Sequence, residues 1–350
     1  MNDEKQMILE MLKEGKITVE EANNLLDAVG GKKIKSENDF ISKLSQSIDS
    51  VIKKTTETIN NIDFDNFDIK EFNIKGESNT HAEMRIDDEI NKISIDIPNG
   101  KILIERAVDS VITLSQDIWS KKNDLIDYLD IDIDEDSLNI TVNDKYNNVD
   151  ASAVIKLSLA KNLYENLEID IVNGTVEISD VDFKDQTIDS VNAKITIINS
   201  SGNLSIDNVN GKIDIKNTNG ELEIDNVNGA VYLSNISGEM ASVDAVSGNI
   251  RVDGLNSKEF DADTTSGNIR IFGIKDTKNI SLDSTSGNII IDAEGYNGDI
   301  KANVDGHYLD ISDRFKNKIQ NEDGFEVSTN INNTDLNINI DSSFGKVSLR

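Results

Sequence analysis

The chain has 350 residues, of which 35 are Lys or Arg and 65 are Asp or Glu, giving a formal net charge of −30. This acidity excludes a simple nucleic-acid binder, which neutralises phosphates with basic residues, and argues against polybasic attachment to anionic lipid. The absence of Cys excludes disulfides, thiolate metal sites and cysteine nucleophiles. Apolar residues make up 37% of the chain and are rich in Ile and Val, which predicts a sizeable core.

The N-terminus has neither the cationic head nor the apolar run of a signal peptide. No run of about 18 apolar residues appears anywhere in the sequence, so we expect no transmembrane helix. The default location predicted from these features is the cytoplasm. Membrane association or surface exposure by an unrecognised route stays open.

The first 31 residues predict a helical hairpin. Gly15 is placed to end the first helix, and Thr18 and Glu21 fit the capping box that begins the second. Helices this short are marginal alone, so their apolar face should pack on a second copy, the next helix or a partner. This candidate interaction face consists of Met7, Ile8, Met11, Leu12, Ala22, Leu25, Leu26 and Val29.

A longer amphipathic pattern follows over residues 37–62 and predicts a connecting helix within a linker of residues 32–70. Packing on the hairpin or the body is the favoured interpretation. An oligomerising coiled coil is a second interpretation, limited by Thr55 at a core position of a short heptad seam. A helix lying on a membrane is disfavoured, because its basic residues are offset by acidic ones.

After Phe72 the apolar period changes from helical to two, which begins a β-rich domain over residues 71–350. Residues 90–104 predict a hairpin that turns at Asn99-Gly100. Further strands are predicted by alternating segments, and a helical turn is predicted over residues 121–128. The segments cover residues 108–118, 129–133, 138–142 and 154–159.

From Asn173 onward the sequence repeats, with Asn-Gly or Ser-Gly turns spaced 9 or 10 residues apart and later 19 or 20 apart. In most units an apolar residue or Thr lies two before the Gly and apolar residues lie two and four after it, which describes a coil of 18 to 20 residues with two strands and two turns. The predicted structural turns lie at Gly202, Gly211, Gly220, Gly229, Gly238, Gly248, Gly267 and Gly287.

This spacing favours a mainly β chain whose body is a β-solenoid resembling a parallel β-helix, with inward Ile, Val and Leu. A meander of antiparallel hairpins is the alternative, because Asn-Gly is also the preferred two-residue hairpin turn. Outward Asp, Glu, Lys, Asn and Ser are interpreted mainly as a solvated face. Residues 61–350 carry a net charge of −28, so the acidity belongs to this body.

The sequence predicts no catalytic, cofactor-binding or metal site. His81 and His307 are too far apart for a ligand motif, and the acidic run 130–136 lacks the Gly and terminal Glu of a calcium loop. Adjacent acids such as Asp261 and Asp263 are unavoidable among 65 acidic residues. A polysaccharide-active enzyme is therefore the least favoured class, since aromatic residues make up only 5% of the chain.

Two segments resemble a known family. Residues 10–26, with the core Gly-Lys-Ile-Thr-Val-Glu-Glu-Ala, resemble the helical hairpin domain that begins YvlB/LiaX-like bacterial proteins. Residues 172–178 and the Ser-Gly-Asn-Ile units resemble the β-repeat domain called "putative adhesin" in those proteins. The resemblance implies a non-enzymatic protein of Gram-positive bacteria that belongs to the cell-envelope stress response. It carries over no catalytic residues.

The leading hypothesis is accordingly a protein that acts through protein partners, one of which is an envelope-stress membrane protein. The hairpin would dock or self-associate, and the acidic body would serve as a rigid interaction surface. The alternative is a structural scaffold that assembles end to end as a homo-oligomer. This alternative requires exposed terminal strands, and the segment 344–350 offers no obvious polar cap.

Overall fold

The computed structural model describes residues 80–109, 111–120, 125–146, 149–161, 163–321 and 324–350. All of them belong to one compact unit, Glu57–Arg350. The predicted helical hairpin of residues 1–31 and the predicted helix of residues 37–62 lie outside the described residues. So does half of the predicted helical turn at residues 121–128, namely residues 121–124.

About three quarters of the described residues are β-strand, which confirms the prediction of a mainly β, repetitive body. The rest form loops and turns, among them a 3₁₀ turn at Asp144–Tyr146. The first ten strands are β1 Thr80–Ile86, β2 Lys92–Arg106, β3 Ile112–Ser120, β4 Leu129–Asp134, β5 Ser137–Val142, β6 Ala151–Leu159, β7 Leu163–Ser179, β8 Asp182–Ile198, β9 Asn203–Asn210 and β10 Ile213–Asn219. The next ten are β11 Leu222–Asn228, β12 Val231–Ser247, β13 Ile250–Ser266, β14 Ile269–Phe272, β15 Asn279–Ser286, β16 Ile289–Asp292, β17 Ile300–Ile311, β18 Asn317–Gln320, β19 Gly324–Ser328 and β20 Leu336–Leu349.

Strands β7 to β16 pair in parallel, each with the equivalent strand one repeat away. Ile213 lies beside Ile195 of the preceding repeat and Val231 of the following one, and the later strands continue this register. The chain therefore advances by one coil per repeat, and every coil stacks on the previous one. The antiparallel meander is wrong for this region.

The predicted hairpin at residues 90–104 is also wrong. The segment forms one continuous strand, β2, and Asn99 and Gly100 lie in register with Asn173 and Gly174 of β7. Asn99 and Gly100 instead form a corner of the stack. The side-chain oxygen of Asn99 accepts a hydrogen bond from Asn173 on the neighbouring coil, and the pair does not close a two-residue turn. Sequence pattern alone does not separate these two uses of Asn-Gly.

Both ends of the stack finish in antiparallel strands. At one end β2 lies between β7 and the pair β5 and β6, and these two pair with β4 and β3. At the other end β20 lies between β15 and β16 on one side and β17 on the other, and β17 continues to β19 and β18. The segment 344–350 is thus an internal part of the stack, and the expectation that it forms an uncapped terminal strand is wrong.

The core consists of columns of apolar side chains that run along the stack. In one column each coil contributes one fully buried β-branched residue to the same position, from Ile195 through Ile213 and Val231 to Ile250. Burying each such side chain stabilises the fold by roughly 1.5–3 kcal/mol. The alternating residues point outward, so each coil presents two outward faces that meet at the Asn-Gly or Ser-Gly corner.

Candidate functional site

The corners are held by columns of closely stacked glycines. A Cβ placed on Gly229 would lie 1.9 Å from the carbonyl oxygen of Gly211, and one on Gly248 would lie 1.9 Å from that of Gly229. The predicted turn glycines fall into two columns, with Gly202, Gly220 and Gly238 forming the second. The second column ends because Gly238 is followed in register by Ser257. Of the two columns only the main one then continues, which explains why the interval between these turn glycines roughly doubles after Gly248.

Asparagines at the main corner form an amide ladder in the earlier coils. The Nδ2 atom of Asn173 donates to Oδ1 of Asn99 at 2.8 Å, and Asn192 donates to Asn173 at 2.9 Å. Asn210 and Asn228 continue the ladder at 3.0 and 3.1 Å. Each amide therefore uses its donor on the coil behind and offers its oxygen to the coil ahead, which fixes the corner geometry.

A second amide ladder lies where the backbone is left-handed. Asp180, Asn199, Asn217 and Asn235 have φ between 53° and 58°, and each Asn donates to the preceding residue of the column at 2.8 to 2.9 Å. Asn and Asp adopt this conformation more readily than other residues that carry a side chain. Later coils place Gly at the equivalent left-handed corner, as at Gly254 with φ of 84°.

One aspartate per coil forms a column beside the main corner. Neighbouring members lie in parallel register, which places adjacent backbones about 4.8 Å apart. The column contains Asp96, Asp170, Asp189, Asp207, Asp225, Asp244, Asp263, Asp283, Asp341 and Asp305, in spatial order. We call this set the aspartate column.

The aspartate column was not predicted from the sequence, although a signal is present. Eight of its members are followed four residues later by the corner glycine, as in Asp207–Gly211 and Asp263–Gly267. The repeat was defined by its apolar positions, two before and two after each glycine, and the aspartate four before the glycine is not one of them. A search for a fixed acidic position in the same alignment of repeats would have found the column.

Crowding of carboxylates changes their protonation along this column. Burial, with the charges of Asp244 and Asp261, raises the pKa of Asp263 to about 7. Burial and the charge of Asp305 also raise the pKa of Asp341, and burial and Glu259 raise that of Asp261. Two carboxylates about 5 Å apart repel by roughly 3 kcal/mol at an effective dielectric constant of about 20. Asp263 and Asp341 therefore hold their protons to a higher pH than an ordinary Asp does.

The face that precedes the corner is strongly acidic beyond the column itself. Its outward positions add Glu168, Asp185, Glu221, Glu223, Glu259 and Asp261, against the basic residues Lys92 and Lys301. We call this surface the acidic face. Asp225 is an exception to the predicted solvated coat, because only 6% of its surface is exposed.

The face that follows the corner has a different composition, and we call it the mixed face. Acids at its outward positions are matched by Lys101, Lys194, Lys212, Lys216, Arg251 and Arg270. The Nζ atoms of Lys212 and Lys216 lie 3.0 and 3.1 Å from the carboxylate of Asp214. Burial would raise the pKa of Asp214, but hydrogen bonds from these two lysines outweigh it and lower that pKa.

Comparison with known families matches residues 90–350 to Toastrack DUF4097. The chain belongs to the Toastrack DUF4097 family. A SHOCT-like domain matches residues 3–34, which overlaps the predicted hairpin. Comparison with curated proteins gives no match.

Several solved structures are similar to the Toastrack domain. A "putative adhesin" from Parabacteroides merdae is 15% identical with a TM-score of 0.39, and the alignment covers 77% of this chain and 95% of that one. A "putative adhesin" from Parabacteroides distasonis is 12% identical with a TM-score of 0.44, covering 77% and 96%. A "putative lipid binding protein" from the same organism is 13% identical with a TM-score of 0.35, covering 78% and 98%.

The Toastrack domain has a cavity of about 570 Å³ near its C-terminal coils. Its lining includes the acids Glu294, Asp310 and Asp313 together with Arg314 and Arg350, and contains no aromatic side chain. Arg314 donates to the carbonyl oxygens of Ala293, Tyr296 and Gly298, so it is engaged in holding the loop.

The histidine and acidic residues that were considered and rejected as metal ligands are dispersed on the surface of the described region. His81 is exposed, and its Nδ1 atom lies 2.8 Å from Oδ1 of Asp117. Asp130, Asp132 and Asp134 form the exposed side of β4, as predicted. In the described part of the chain, no three His, Cys, Asp or Glu residues are grouped to hold a metal ion. Nor does this part contain a helix that could cross a membrane.

Proposed function

We propose that this protein is a non-enzymatic, adhesin-like interaction protein of the bacterial cell-envelope stress response. In this proposal the Toastrack body is a β-solenoid that serves as a rigid acidic surface, and residues 1–31 form a hairpin that docks on a partner or on a second copy. Membership of the Toastrack family and the SHOCT-like match at residues 3–34 support this division of labour. The similar solved structures that are named adhesins agree with it.

The observation that carries the proposal is the register of the acidic face. Asp244, Asp263 and their equivalents are positioned by backbone pairing from coil to coil, and the corners beside them are held by stacked glycines and amide ladders. A surface that is already ordered loses little conformational entropy when a partner binds. Its charge favours a partner whose contact surface is rich in Lys and Arg.

An envelope-stress membrane protein with a basic segment outside the bilayer has the chemistry that this face would recognise. Its attraction to the acidic face would increase the rate of association and would weaken as salt is added. The hairpin would supply a separate, apolar contact. The two parts would then act together, because linking two weak contacts raises the overall affinity.

The test follows the native protein in its own cells. Cytosol, membrane and surface fractions are prepared before and after envelope stress, and partners are captured with the full chain. Three variants are compared: the full chain, a chain without residues 1–31, and the full chain with Glu221→Gln, Glu223→Gln and Glu259→Gln. We expect redistribution to the envelope under stress, with loss of capture in both altered chains. An unchanged distribution under stress, or equal capture of partners by all three chains, would overturn the proposal.

A further inference from the structure

Two exposed apolar side chains stand out in the regular coils. Between residues 182 and 292, all of which are described, the exposed large apolar side chains are Tyr232, with 38% of its surface exposed, and Met240, with 40%. Both belong to β12, so they lie at the same level of the stack. Tyr232 lies on the mixed face and Met240 on the acidic face.

Both cations and carboxylates lie around Tyr232, and the cations are in excess. Asp214 precedes Tyr232 in register and is paired with Lys212 and Lys216 at 3.0 and 3.1 Å, and Asp253 lies 3.8 Å from Arg251. The Nζ atom of Lys212 lies 4.5 Å from the centre of the Tyr232 ring, and Arg251 follows Tyr232 in register on the next coil. The Arg251 guanidinium lies 4.8 Å from the centre of the Phe272 ring, and Arg270 is the next residue of the column. We call Lys212, Tyr232, Arg251, Arg270 and Phe272 the arginine–aromatic patch. Tyr and Arg are the residue types most enriched at protein interfaces.

Acids surround Met240. Glu221 precedes Met240 in its column and Glu259 follows it on the next coil, while Glu223 and Asp261 lie one outward position along the same strands. We call Glu221, Glu223, Met240, Glu259 and Asp261 the methionine–glutamate patch. Glu239 and Lys258 border it with opposite charges. An exposed methionine packs readily on aromatic rings.

The two patches are complementary in charge and chemistry. The first has an excess of cations around an aromatic ring, with Lys212, Lys216, Arg251 and Arg270 against Asp214 and Asp253. The second carries carboxylates around a thioether. We propose that the arginine–aromatic patch of one molecule binds the methionine–glutamate patch of a second copy, so that copies associate side by side with their coils at one level. This contact is distinct from the hairpin contact in the proposed function, and it joins faces of the body where the end-to-end scaffold would join terminal strands.

The overall net charge of −30 does not prevent such a contact at physiological salt. Screening limits electrostatic forces to about 8 Å at this ionic strength, so the charges at the contact dominate over those on remote surfaces. Because the two patches differ, a molecule that binds through one patch keeps its other patch free, and the assembly still has one free patch of each kind. Association of this type continues into a row or closes into a ring.

The test measures the mass of the full chain by light scattering and sedimentation over a range of concentrations. We expect larger species in the native chain that grow with concentration. Arg251→Glu with Arg270→Glu should give monomers, as should Glu221→Lys with Glu259→Lys, and the four changes together should restore association. Lys156→Glu with Lys184→Glu is the matched control, since it reverses two exposed charges elsewhere and should leave association intact. Circular dichroism of each variant verifies folding.

A covalent test uses the natural absence of cysteine. Tyr232→Cys with Met240→Cys should give disulfide-linked dimers and longer species on oxidation. Tyr232→Cys with Thr187→Cys, which moves the second thiol three coils away on the same face, should give few. A native chain that stays monomeric overturns the proposal, and so does equal cross-linking of both pairs. Association that survives the charge reversals but disappears without residues 1–31 also overturns it, while leaving the proposed function standing.

Discussion

Asp244 and Asp263 occupy the same position on neighbouring coils, in parallel register, so each carboxylate faces another one coil away. Burial is the largest cause that raises the pKa of Asp263 to about 7, and Asp244 and Asp261 add to it. In an unfolded chain the same group has a pKa of about 3.9. Between about pH 4 and pH 7 Asp263 is therefore protonated more in the folded protein than in the unfolded chain, and its contribution to the free energy of unfolding falls as pH rises through this range.

We predict that Asp263→Asn stabilises the protein at pH 8. Asn keeps the shape of the side chain and removes the charge that is disfavoured there, so we expect a gain of about 1–2 kcal/mol. At pH 4 the native Asp263 is already protonated, and the gain should disappear. Urea unfolding of both proteins across this pH range measures the difference.

Asp88→Asn is the control for this prediction, because Asp88 is exposed in the loop between β1 and β2. An exposed loop side chain contributes little to stability, so we expect Asp88→Asn to change the free energy of unfolding by less than about 0.5 kcal/mol. A pH-independent effect of Asp263→Asn, or destabilisation at pH 8, would show that the ionised Asp263 carboxylate does not destabilise the folded protein.

The corner glycines predict a second outcome. Gly229 has φ of 135°, and an added Cβ would lie 1.9 Å from the carbonyl oxygen of Gly211, so Gly229→Ala must displace a neighbouring coil. We expect a loss of about 3 kcal/mol or more in the free energy of unfolding. Gly295 provides the comparison, since nothing lies within 4 Å of a Cβ placed there. Thermal unfolding that moves equally for both variants would contradict this account.

The sequence predicts the coil better than it predicts the surface. Alternation of Ile and Val with polar residues, and the regular spacing of the turn glycines, are local patterns, and they correctly indicated stacked β repeats. The predicted hairpin turn at Asn99-Gly100 is wrong, because Asn99 is bonded to Asn173, which lies 74 residues away in the chain. The aspartate column and the pairing of β20 between β15 and β17 likewise depend on which coil follows which, and no local pattern encodes that order.

A buried polar column predicts coupling between coils. The Ser190 hydroxyl donates to Oδ1 of Asn208 at 2.8 Å, and Nδ2 of Asn208 donates to Oδ1 of Asn226 at 3.1 Å. Asn208→Ala leaves both partners without these bonds in the interior, which should cost about 1–3 kcal/mol. Asn208→Ala combined with Asn226→Ala should cost less than the sum of the single changes, because they share one hydrogen bond. Strict additivity in chemical unfolding would contradict the coupling.

Two substitutions at Asn217, in a left-handed corner, distinguish the effect of backbone strain from that of side-chain hydrogen bonding. Asn217 has φ of 55°, donates to Asn199 at 2.8 Å and accepts from Asn235 at 2.9 Å. Asn217→Ala loses both bonds and keeps a Cβ in the left-handed region, where an L-residue is strained by about 1–2 kcal/mol, whereas Asn217→Gly loses the bonds and also removes that strain. We therefore expect the Gly variant to unfold at a higher denaturant concentration than the Ala variant, as the natural Gly254 at an equivalent left-handed corner suggests. Equal midpoints for the two variants would mean that the amide ladder, and not the backbone conformation, decides the choice of Asn at this corner.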